Sequence, residues 1–254
     1  MTKEQKIGVF DSGVGGLFSL ANFKKAMPNA DFIYLADTIN LPYGSKNKEE
    51  LTSFAKNVIS FFEKKPVTTV VVACNTLSSV LLETELKSKQ FNWVDVIAPA
   101  VLEVKNTEKN IGVIATEYTI KSGIYKKMLT SVQKNSFEIA CPNLVNLIES
   151  GREINVIKEE LFNYLSKFKV NLDCLILGCT HYGMLKNQAA GFFERKVRII
   201  DTNCSVVKAV QSVTEPSLGG GEIEFFVTGE AEKFTKIARP LFDFNFNNVV
   251  EVDL

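Results

Sequence analysis

The sequence predicts an α/β protein of two similar α/β domains with mostly parallel sheets, related by a pseudo-twofold, with the site in the cleft between them. Three observations predict it. Short β-branched runs alternate with longer amphipathic stretches. Most of those runs are apolar without strict alternation, the pattern of parallel strands covered on both faces. The chain also repeats itself: IGVFDSG at Ile7 returns as IGVIATE at Ile111, FIYLAD at Phe32 as FEIAC at Phe137, and VVACNT with Cys74 as LILGCTH with Cys179, each about 105 residues on.

In chain order, strands are read at residues 7–10, 32–35, 67–73, 94–97, 111–115, 137–140, 174–177 and 198–200. Residues 49–63 carry Leu51, Phe54, Ala55, Val58, Ile59 and Phe62 on one 3.6-period stripe, so a helix is predicted there. Residues 156–168 do the same with Ile157, Leu161, Tyr164 and Leu165. After Asp201 the pattern leaves the repeat. Residues 217–229 read as a loop and a strand, followed by a helix from 230 to about 241 and a last strand at 249–252. This tail has no counterpart in the second half and is expected to complete the first sheet. The first domain is therefore drawn as 1–97 plus 210–254, and the second as 98–209.

Composition excludes several classes. The 254 residues hold 29 Lys+Arg against 29 Asp+Glu, so no basic face is available for nucleic acid. No apolar run approaches the ~20 residues that span a bilayer, and no signal-type segment follows MTKEQK. The five cysteines (74, 141, 174, 179, 204) form no C-x-x-C pair, and there is a single His, so neither a disulfide framework nor a metal cage is expected. A reduced, cytoplasmic protein without cofactor is the expectation.

Ligands of open α/β sheets bind beyond the carboxyl ends of the strands. Four polar clusters stand there: Asp11-Ser12-Gly13, Pro42-Tyr43-Gly44, Cys74-Asn75-Thr76 and Gly178-Cys179-Thr180-His181. Cys74 and Cys179 each follow an apolar strand and precede an expected helix, whose N-terminal dipole would lower the thiol pKa. Cys141, Cys174 and Cys204 are read as small buried hydrophobes. Two thiols on facing halves suit inversion of a carbon stereocentre, which needs an acid on one side and a base on the other. Asp11 and His181 could each assist the nearer thiol; their plainer readings are a helix cap and a core histidine. Ser12, Asn75, Thr76 and Thr180 could hold carboxylates. One alternative is nucleotide binding, since a glycine-rich loop is followed by Asp37, but Phe18 takes the third glycine position of G-x-G-x-x-G. A ligand-binding module without catalysis is another.

FDSGVGGL (10–17), LPYGSK (41–46), VVACNT (71–76), IGVIATEYTIKSGIY (111–125), ACPNLVNLIESG (140–151), LILGCTHYG (175–183) and TGEAEKFTKIA (228–238) resemble the glutamate racemase family in order and spacing. The resemblance implies a cofactor-independent, two-thiol racemase that interconverts L- and D-glutamate and supplies D-glutamate for peptidoglycan; a related aspartate-type racemase is the alternative. It implies Cys74 and Cys179 as the acid/base thiols and Asp11, His181 and Glu149 as assisting groups. It further implies a substrate site of Asp11, Ser12, Pro42, Tyr43, Gly44, Asn75, Thr76, Thr116, Thr180 and His181, and a homodimer. The chain departs from the family pattern at Asn40, Leu77, Ala98 and Gly183-Met184, of which Leu77 and Met184 stand nearest the thiols in sequence.

Overall fold

The computed structural model describes residues 6–84, 86, 88–214 and 219–254. The start of the tail loop at Ser217 lies outside the described residues. Two parallel sheets form the frame. The first contains β1 (Lys6–Asp11), β2 (Phe32–Ala36), β3 (Val67–Val72) and β4 (Asn92–Asp95). The second contains β5 (Asn110–Ala115), β6 (Asn135–Ala140), β7 (Cys174–Gly178) and β8 (Arg198–Asp201). From the tail, β9 (Ile223–Val227) and β10 (Val249–Glu251) add to the edge of the first sheet.

The sheet orders are β10-β9-β2-β1-β3-β4 and β6-β5-β7-β8. Without the tail, the two halves share one topology. In each, the opening strand lies between the second and third, and the fourth flanks the third. The registers carry the duplication too: Ile7 pairs Phe32 in the first sheet, and Gly112 pairs Phe137 in the second. All residues of β2 and β7 are buried, as expected for parallel strands covered on both faces.

Helices cover these faces. They are α1 (Gly16–Ala26), α2 (Lys48–Glu63), α3 (Asn75–Thr84), α4 (Ile97–Leu102), α5 (Glu117–Lys121) and α6 (Ile124–Ser131), followed by α7 (Leu144–Glu149), α8 (Ile154–Leu165), α9 (Lys186–Phe192), α10 (Thr202–Val213) and α11 (Ala231–Ala238). Helix α2 opens with a reciprocal cap: Glu50 N–H donates to Asn47 Oδ1 at 2.8 Å, and Asn47 N–H donates to Glu50 Oε2 at 2.9 Å. Its predicted stripe buries Leu51, Ala55, Val58 and Phe62. Among the described residues, no helix is long and apolar enough to cross a membrane.

Two local expectations shift. The strand expected at 94–97 ends at Asp95, because the Asp95 carboxylate accepts the N–H groups of Ile97 and Ala98 at 2.8 and 2.7 Å and starts α4 there. Helix α10 follows the second sheet in sequence, yet it buries Val206 and Val210 in the core cluster that holds Ile7, Val9 and Phe225 of the first. Its apolar face, not its place in the chain, decides which half it covers.

Candidate active site

Cys74 sits between β3 and α3, and Cys179 directly follows β7. Equivalent strand ends of the two halves therefore deliver the two sulfurs. Both line one cavity of about 210 Å³. That suits a small molecule. Ser12, Pro42, Tyr43, Gly44, Asn75, Thr76, Thr116, Thr180 and His181 line the same cavity. Asp11 and Glu149 do not; each stands behind the wall.

The surroundings of the two thiols differ. Cys74 Sγ lies 3.7 Å from Ser12 Oγ. Burial and the negative charge of Asp11 push its pKa up to about 12, outweighing the N–H of Leu77 and the Ser12 hydroxyl. The lowered thiol pKa expected from the helix N-terminus is therefore not found at Cys74. The dipole is present, but burial and the Asp11 carboxylate outweigh it. Cys179 leads into a 3₁₀ turn, Thr180–Leu185, where an α-helix was expected. Its Sγ lies 3.8 Å from His181 Nδ1, and His181 Nε2 lies 2.6 Å from Glu149 Oε1. Burial alone would lower the His181 pKa. The hydrogen bonds to Cys179 and Glu149, with their charges, overcome it and raise the imidazole well above its usual range. Burial likewise works against the Glu149 carboxylate, but the His181 hydrogen bond and charge and the Val14 N–H hold its pKa below the usual value.

Asp11 is fully buried at the end of β1. Its carboxylate accepts from Gly13 N–H at 3.0 Å and from Thr180 Oγ1 at 3.1 Å. Burial raises its pKa, opposed by the charge of His181 and by these hydrogen bonds. Gly15, not Asp11, is the N-cap residue of α1, although the Asp11 carboxylate also takes the N–H of Gly16 at the start of that helix. The Thr180 contact ties the first half to the residue beside Cys179. Gly15 makes this approach possible: a Cβ there would fall 2.4 Å from Thr180 Oγ1 and 2.6 Å from His181 Nδ1. Gly15 of the glycine-rich loop thus serves contact between the halves. Asp37 is engaged as well: it accepts from Tyr43 Oη at 2.5 Å, from Thr228 Oγ1 at 2.6 Å and from Asn40 Nδ2 at 2.9 Å, fixing the Pro42-Tyr43-Gly44 turn.

On another wall, Thr76 Oγ1 lies 2.8 Å from Thr116 Oγ1, and Thr116 Oγ1 lies 2.9 Å from Thr119 Oγ1. Thr119 was not singled out in the sequence, although its i+3 spacing from Thr116 was the available signal. Leu41, Ser45, Glu117, Val145, Asn143 and Asn146 also line the cavity without having been foreseen. Glu117 is paired to Lys121 at 2.8 Å. Leu77 is buried in the core behind Cys74, and Met184 packs against the second core; neither lines the cavity. Of the cysteines read as buried hydrophobes, Cys174 is buried within β7, Cys141 is buried yet faces the cavity, and Cys204 is exposed. Cys204 is exposed because it lies off the Val206–Val210 face of α10. Among the described residues, no three His, Cys, Asp or Glu side chains converge on a metal position.

The profile of the Asp/Glu/Hydantoin racemase family matches residues 20–210. A glutamate racemase from Aquifex aeolicus is 38% identical over 237 residues, covering 92% of each chain. One from Fusobacterium nucleatum is 38% identical over 249 residues, covering 93% of each. The chain belongs to the glutamate racemase family. As such it is an isomerase of the amino-acid racemase class. Among solved racemases, a Bacillus anthracis glutamate racemase isoform superposes with a TM-score of 0.91 at 30% identity, over 99% of this chain and 98% of that one. The Francisella tularensis glutamate racemase, solved in complex with D-glutamate, superposes with a TM-score of 0.86 at 30% identity, over 98% of each.

Proposed function

We propose that the protein interconverts L- and D-glutamate by proton transfer between Cα and two thiols, Cys74 and Cys179. The observation that carries this reading is the shared cavity: each half of a duplicated fold lends one sulfur to it. One sulfur, as thiolate, takes the Cα proton. The electron pair left on Cα spreads into the α-carboxylate. The other sulfur, as thiol, returns a proton to the opposite face. The acid and base are both side chains, so the step calls for no cofactor or metal.

The surroundings support distinct resting roles. Cys74, with its raised pKa, is the acid; Cys179, beside a protonated His181 held by Glu149, is the base. Among the described residues no Lys or Arg lines the cavity, so the substrate carboxylates are held by hydroxyls and amides: Ser12, Asn75, Thr76, Thr116 and Thr180, with backbone N–H groups of the Tyr43–Ser45 turn. Asp11 and Glu149 act from behind the wall. Glutamate is favoured over aspartate by the names of the relatives.

The same reading makes the protein a source of D-glutamate for peptidoglycan and a homodimer. It also sets both thiols in a reducing compartment, the cytoplasm, because a thiol oxidised or capped cannot carry the proton. Folded, reduced protein given L-glutamate should bring its optical rotation to zero, and D-glutamate likewise. Rotation that stays constant from both enantiomers overturns the reading. Decay with aspartate and not glutamate turns it to the aspartate-type enzyme.

A further inference from the structure

Tyr125, on the first turn of α6, touches the segments that carry both thiols. Its side chain is fully buried. Its hydroxyl donates to Asn75 Oδ1 at 2.7 Å, one residue after Cys74. Its ring lies over Gly178, one residue before Cys179: a Cβ at Gly178 would fall 3.2 Å from Tyr125 Cε2. Burial raises its pKa well above the usual phenol value, so the hydroxyl keeps its proton for Asn75.

The orientation of the Asn75 amide follows from a chain of donors and acceptors. The Leu177 carbonyl can only accept, and Thr202 Oγ1 donates to it at 3.2 Å. The Thr202 oxygen, its proton used, can then only accept from Asn75, which brings Nδ2 to it at 3.3 Å. The other end of the amide is therefore the carbonyl oxygen, and Tyr125 supplies its proton. Tyr125 and Leu177 belong to the second half and Thr202 opens α10, while Asn75 belongs to the first half and lines the cavity. Among the described residues, the second N–H of the amide has no protein partner.

We propose that Tyr125 is a positioning residue for racemisation, locking the Asn75 amide so that its remaining N–H serves the substrate carboxylate. This rests on the racemase reading above. Without the phenol the carbonyl end loses its donor, and the amide can turn away from the substrate. The loss falls on ground-state binding, while the thiols, which do the chemistry, are untouched.

The test compares Tyr125→Phe, Asn75→Ala and the double variant, with circular dichroism to establish folding and kcat and KM measured for both glutamate enantiomers. Tyr125→Phe keeps the ring over Gly178 and removes only the hydroxyl. It should raise KM about tenfold, the scale of one buried hydrogen bond, with kcat changed far less and the pH profile unmoved. In the Asn75→Ala background the same substitution should add almost nothing, because the tyrosine acts through that amide. Unchanged KM in folded Tyr125→Phe, or full additivity in the double variant, overturns the proposal. If Tyr125→Phe does not fold, Thr202→Val reaches the same amide from its other end. A raised KM there supports the lock, and an unchanged KM overturns it. A wild-type protein that fails to racemise glutamate overturns the proposed function itself and this inference with it. A racemising wild type with indifferent variants overturns this inference alone.

Discussion

The two thiol-bearing strand ends descend from one pattern and have been finished differently. In the first half, Cys74 has a hydroxyl beside it and a buried carboxylate, Asp11, whose charge raises its pKa. In the second, Cys179 has an imidazole at hydrogen-bond distance, backed by Glu149. One sulfur has negative charge for a neighbour, the other positive. In the proposed reaction duplication supplies a group for each face of Cα, and divergence gives Cys74 the acid role and Cys179, beside the His181–Glu149 pair, the base role. One enantiomer meets those roles directly. The other requires the proton to have moved across first.

The comparison breaks most sharply at the sulfurs themselves. Cys74→Ser and Cys179→Ser should each lower racemisation on the order of 10²–10⁴-fold with an unchanged circular dichroism spectrum, the range for removing a general acid or base. If one half sufficed, one of the two variants would stay active.

Glu149→Gln tests the second half alone. Losing the charge that holds the His181 proton should cost roughly ten- to a hundredfold in kcat/KM, the scale of a charge-assisted hydrogen bond. The imidazole pKa should fall toward its ordinary ~6.5. Activity that needs imidazolium is then lost at lower pH, so the alkaline limb of the pH profile moves down. An unmoved limb would separate His181 from the thiol chemistry.

Gly15→Ala tests the contact between the halves. The added methyl has no room beside Thr180 and His181. A loss of about 1–3 kcal/mol in denaturant stability, with a loss of activity, is expected. Asp11→Asn tests the first half and should have the smallest effect on stability. With the charge removed, the Cys74 pKa should fall, so alkylation of Cys74, followed by mass spectrometry across pH, should set in at lower pH. Alkylation with an unchanged pH midpoint would mean that burial alone sets this thiol.

Much of this was legible in the sequence because it rests on local patterns. Continuous apolar runs marked the parallel strands, and the repeated spacing of IGV, the Phe-led strand and the cysteine marked the duplication. Both cysteines could be singled out because only they recur at strand ends. What could not be read is what the halves do to each other. The Cys74 pKa depends on its burial and on the Asp11 carboxylate brought beside it from the end of β1, so a rule drawn from its own helix N-terminus pointed the wrong way. The sequence places Asp11 at the end of the first strand but not its partners: the carboxylate accepts from Gly13 and from Thr180 of the other half. Tyr125 carries no local signal at all, since its partners lie 50 residues away in sequence. The end of β4 was misplaced for a local reason, the Asp95 cap, which an apolar run had masked.

The central claim is that different groups serve the two faces of Cα. It is tested most directly by following L-glutamate in deuterium oxide at early times and reading deuterium at Cα in each enantiomer by mass spectrometry after chiral separation. With two thiols, the newly formed D-glutamate carries deuterium while the recovered L-glutamate keeps its protium. Deuterium appearing in recovered L-glutamate as fast as in the product would mean one group serving both faces, and would contradict the account.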